Sequence, residues 1–100
     1  MTSSPQNQVV AMDRLRRALL AFQAAQSLFL VTHRRLKALP QAEVEAFWNG
    51  SGCRLETNMH TTATEVAAAF KAFSAAGLVA AAGDRHLVTE AQRFLMEGPA

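Results

Sequence analysis

Residues 61–95 constrain this chain most. TTATEVAAAFKAFSAAGLVAAAGDRHLVTEAQRFL reads as a helix with a sharp exit, a segment broken by a turn, and a second helix. Thr62-Ala63-Thr64-Glu65 has the capping-box pattern, in which the threonine hydroxyl accepts from the backbone N–H three residues on and the glutamate reaches back to the cap, so a helix is expected over 63–76. Val66, Ala69, Phe70 and Phe73 share one arc of that helix and form its inward face. Gly77 stands where a left-handed C-terminal residue is needed, and Leu78 can close back onto Phe73. Leu78-Val79 and His86-Leu87-Val88 then have strand character on either side of the turn chemistry in Ala82-Gly83-Asp84-Arg85, which predicts a hairpin over 78–88. Thr89, with Gln92 three residues later, predicts a cap and a last helix over 90–97.

A helix followed by Gly-Leu-Val, a Gly-Asp turn and HLVTEAQRFL resembles the recognition helix, wing and following helix of winged helix-turn-helix proteins of the MarR, ArsR and PadR type. The likeness is close over about a third of the chain and loose over about two thirds. It implies a mainly α fold with a small β-hairpin wing, residues 9–98 forming a single winged-helix domain. The function it implies is a small DNA-binding transcriptional regulator, repressor-like and dimeric. One fold hosts many jobs, so the alternative is a winged-helix interaction module, an adaptor or inhibitor that binds a protein and does not read DNA through its recognition helix.

Before this segment, residues 1–8 are polar with one proline and read as a flexible tail. Residues 9–38 turn helical: Met12, Leu15, Leu19, Phe22 and Phe29 share a face flanked by Ala11, Ala18 and Ala25, while Arg14, Arg16 and Arg17 lie off it. If this helix is continuous, Leu20, Ala24, Leu28 and Val31 form a second apolar stripe, and a helix apolar on both sides is buried on both sides. In so small a protein the second side meets another subunit. A break near Gln26-Ser27, with two shorter helices on one core, is the other reading. Pro40 suits the first turn of a helix over 41–48, with Val44, Phe47 and Trp48 as its apolar members, and Asn49-Gly50-Ser51-Gly52 ends it. In the family comparison this is the first helix of the helix-turn-helix. The stretch from Gly50 to His60 is then a long insertion, in which Cys53-Arg54-Leu55-Glu56-Thr57 alternates as a strand does.

Function classes narrow on charge and chemistry. The 100 residues carry a net charge of +2, divided unevenly: six basic residues against one acidic in 1–37, four against seven in 38–100. An acidic winged half opposes docking on a phosphate backbone, whereas the basic N-terminal third favours it. One cysteine, Cys53, excludes an internal disulfide, and His33, His60 and His86 lack ligand spacing, so no metal and no cofactor is expected. No nucleophile–base pair, phosphate loop or carboxylate pair stands at a recognisable spacing, which reads as no enzyme. The arginines before the apolar run are not followed by a small-residue cleavage site, and the run is shorter than the ~20 residues a membrane span takes. A cytoplasmic protein without a membrane partner is expected. For a duplex DNA partner, Thr61, Thr62, Thr64 and Ala68 can touch thymine methyls, Lys71 a guanine or phosphate, Arg85 and His86 the backbone from the wing, and Arg34, Arg35 and Lys37 further phosphates. The same outer face, poor in base-reading side chains, equally suits packing on a protein partner.

Overall fold

The computed structural model describes residues 4–98, and they form four helices: α1 Pro5–Leu36, α2 Gln41–Asn49, α3 Gly52–Ala75 and α4 Ala82–Glu97. Among the described residues there is no strand, so the β-hairpin wing, and with it the winged helix-turn-helix fold, is not what this chain forms. Residues 78–81 are an extended link, and what reads locally as a turn and a second wing strand is the first half of α4. The physical reason lies in spacing. Leu87, Val88, Ala91, Phe94 and Leu95 recur at helical intervals and face the core, while an isolated two-stranded hairpin has no sheet to complete it. Thr89 is not a cap: its hydroxyl donates to the Arg85 carbonyl 2.9 Å away, one turn back inside α4.

The expected tail and the expected insertion are also helical. Residues 1–3 of the tail lie outside the described residues, but α1 already starts at Pro5, with Ser4 Oγ accepting from the Asn7 amide at 3.1 Å. No break occurs at Gln26-Ser27: α1 is a single 32-residue helix. Likewise α3 starts at Gly52 and runs straight through the residues 53–57 that alternate like a strand. Leu55, Met59, Ala63, Val66, Ala69 and Phe73 keep a helical period from one end of α3 to the other, and that longer period outweighs a five-residue alternation. Thr62, expected to cap, sits mid-helix and donates to the carbonyls of Asn58 and Met59. Only Gly50 and Ser51 separate α2 from α3.

The exit of α3 follows its sequence signature in full. Gly77 has φ +80°, its amide donates to the Ser74 carbonyl at 3.0 Å, and the Leu78 amide reaches the Phe73 carbonyl at 3.3 Å, the paired bonds of a Schellman cap.

Packing is dominated by α1 against α3. Leu15, Leu19, Phe22 and Phe29 on α1 meet Met59, Val66 and Phe73 on α3, with Ala63 and Ala69 fully buried where the two helices approach. Contacts between Gln8 and Ala76 and between Arg14 and Glu65 show α1 and α3 running antiparallel. The fourth helix adds Val88 and Ala91 to the same core. The second helix buries nothing fully and is held by rings: Trp48 lies 5.4 Å from Phe29, 6.3 Å from His33 and 5.2 Å from Phe47, centroid to centroid. The long α1 makes the molecule a rod of 57 × 22 × 20 Å. No helix among the described residues is long and apolar enough to cross a membrane.

Candidate interaction surface

Because α1 is continuous and only one side of it packs on α3 and α4, its other side is left open. Leu20 (60%), Leu28 (52%) and Val31 (42%) remain exposed there, with exposed Ala24 between them, while neighbouring Leu19, Phe22 and Phe29 are buried. A leucine exposed singly needs no explanation, but a row of large apolar residues along one helix face does. Beside the stripe, α1 and the link before α4 border an open groove of about 680 Å³ lined by Met12, Leu19, Leu20, Phe73, Val79 and Leu87, with Arg16 and Asp84 also in its wall. Met12, expected in the core, is half exposed in that groove.

Charges border the stripe at both ends. Toward the N-terminus, Asp13 pairs with Arg17 one turn on, and Arg14 donates to Glu65 Oε1 on α3 at 2.7 Å. The Glu65 hydrogen bond, aided by its negative charge, raises the pKa of the Arg14 guanidinium above its already high ordinary value. Toward the C-terminus, Arg34 and Arg35 are exposed in the last turn of α1, with Lys37 just beyond, where cations complement the negative end of the helix dipole. Among the described residues Arg16, Arg34, Arg35 and Lys37 form no ion pair.

The residues expected to meet DNA are not brought onto one surface. Thr61, Thr64, Ala68 and Lys71 are exposed on the outer side of α3, but Thr62 is half-buried. The hydroxyls of Thr62 and Thr64 are engaged with carbonyls of their own helix. Arg85 and His86 stand in the first turns of α4 instead of at a wing tip, and His86 Nε2 lies 3.0 Å from Glu90 Oε1, whose other oxygen accepts from Gln26. Since α1 and α3 are antiparallel, Arg34, Arg35 and Lys37 lie at the opposite end of the rod from Lys71, some ~35 Å away at 1.5 Å per helical residue. Cys53 and His60 are seven residues apart on α3, ~10 Å along its axis, and form no thiol–imidazole pair. No three His, Cys, Asp or Glu side chains among the described residues stand together as a metal site.

The four residues expected on a second apolar stripe do lie together, on one open face of α1. Sequence spacing pointed to this stripe only on the reading that α1 is continuous, which the 32-residue helix bears out. The groove was not legible, because it is closed on one side by Val79 and Leu87, read as strand residues. No family model matches this chain, and no curated protein and no solved structure was found to match it.

Proposed function

We propose that this protein is a non-catalytic, all-helical interaction module that self-associates through the outer face of α1. The observation that carries this reading is the exposed row Leu20, Ala24, Leu28 and Val31 on the side of α1 facing away from its own core. A reducing, cytoplasmic setting belongs to the same reading, supported by the single, exposed thiol of Cys53. Sedimentation at micromolar concentration tests it: a dimer is expected for the natural chain and a folded monomer for Leu28→Glu. A folded natural chain that sediments as a monomer removes the proposal.

A second reading keeps duplex DNA as partner, in the service of transcriptional regulation. It is supported by the cations of Arg34, Arg35 and Lys37, which stand outside any ion pair among the described residues. Here contact is with phosphates and carries no base reading, since the outer face of α3 offers Lys71 as its only cation between Thr61 and Ala75.

A further inference from the structure

We infer that the second copy lies antiparallel on α1, with the two-fold axis passing beside Ala24. This rests on the self-association proposed above and adds its direction and register. The residues of the open face are arranged symmetrically about Ala24. Leu20 and Leu28 are each four residues away, Arg17 and Val31 each seven, and Asp13 and Arg35 each eleven. At 1.5 Å per residue these levels fall ~6, ~10 and ~16 Å on either side of the centre. A two-fold interface must be self-complementary, each patch meeting itself reversed. With Ala24 against Ala24, Leu20 of each protomer meets Leu28 of its partner, and Arg17 lies alongside Val31, which its aliphatic stem covers.

Charge selects this arrangement over its rivals. The antiparallel register sets Asp13 of each protomer level with Arg35 of the other, so opposite charges meet at both ends of the stripe. Asp13 engages Arg17 through Oδ2, which leaves Oδ1 for the incoming guanidinium. A parallel pair in register would place Asp13 on Asp13, Arg17 on Arg17 and Arg35 on Arg35, three like-charge meetings. An antiparallel pair shifted to bring Leu20 against Val31 would set Arg17 against Arg34. Ala24, the smallest side chain of the stripe, stands where the two axes come closest. On the rest of the fold, α2 is held on the side of Phe29 and His33, so it leaves this face clear.

Cysteine cross-linking in a Cys53→Ser background reads direction and register together. Under mild oxidation, Ala24→Cys is expected to give a covalent dimer. Leu20→Cys and Leu28→Cys are expected to stay uncoupled alone and to couple when mixed. Self-coupling of Leu20→Cys and of Leu28→Cys, with none in the mixture, overturns the antiparallel arrangement in favour of a parallel one. A sedimenting dimer that Ala24→Cys does not capture overturns the register while leaving self-association intact. A monomeric Cys53→Ser protein overturns both. Charge exchange gives an independent reading: Asp13→Lys is expected to weaken the dimer at least several-fold, and adding Arg35→Glu is expected to restore it. Failure of that rescue counts against the Asp13 to Arg35 contact.

Discussion

Trp48 lies directly over Gly52: a Cβ built on that glycine would stand 2.5 Å from Trp48 Cε3 and 2.8 Å from Phe47 Cε1. The absence of a side chain at Gly52 is therefore what lets the aromatic pair of α2 seat on the start of α3. Gly52→Ala is expected to push both rings outward and to lower stability by ~1–3 kcal/mol, the usual cost of overpacking. Thermal unfolding checks it, at ~4–8 °C per kcal/mol for a domain of this size. An unchanged midpoint would mean that α2 contributes nothing to the folded state.

Two other glycines should respond in opposite directions. Gly77 has open space around it but a φ of +80°, so Gly77→Val fails on backbone conformation and should cost ~1–2 kcal/mol or more. Gly83 lies in the first turn of α4 with nothing within 4 Å of a Cβ, so Gly83→Ala gains helix propensity and should be neutral to stabilising by up to ~1 kcal/mol. Denaturant midpoints of both variants decide it. A destabilised Gly83→Ala would revive a turn at that position.

The two faces of α1 should separate folding from assembly. Phe22 is completely buried, and Phe22→Ala should cost ~3–5 kcal/mol at any protein concentration. Leu20→Ala, on the open face, should leave the unfolding of dilute protein within ~0.5 kcal/mol of the natural chain, while reducing the concentration dependence of the unfolding temperature.

Duplex binding, if it occurs, has a geometric signature. In the antiparallel dimer, where Arg35 is engaged by Asp13 of the partner, the two Arg34 levels are 20 residues and the two Lys37 levels 26 residues apart along the paired chains, ~30 and ~39 Å, either side of the ~34 Å turn of B-DNA. A duplex of 20 base pairs should then bind more tightly than one of 8, and Arg34→Ala or Lys37→Ala should each flatten the slope of log affinity against log salt by ~0.9 per lost phosphate contact. Lys71→Ala should change neither the slope nor the choice among sequences. No binding at 50 mM salt retires this reading and leaves the protein-interaction module.

The inward face of residues 63–76, the exit at Gly77 and the helix of Val44, Phe47 and Trp48 were legible by spacing and glycine chemistry, whereas the true start of α3 at Gly52 was not, and the second apolar face of α1 was legible only on the reading that the helix is continuous. What misled was local pattern of short range. Thr62 and Thr89 carry capping boxes, yet both hydroxyls bond to carbonyls one turn back because the helix continues past them. Five alternating residues after Gly52, and His86-Leu87-Val88 after a Gly-Asp pair, look like strands when read alone.

By itself, then, the sequence determined which residues are apolar, at what period, and where α3 must stop, because periodicity and the left-handed demand at Gly77 are properties of neighbouring residues. Only the tertiary structure decided that residues 82–88 are helix and not wing. Leu87, Val88 and Ala91 gain more by facing Phe22, Val66 and Phe73 across a shared core than a lone hairpin could gain from its few cross-strand bonds, and those core partners are too distant in the chain for any local reading to weigh.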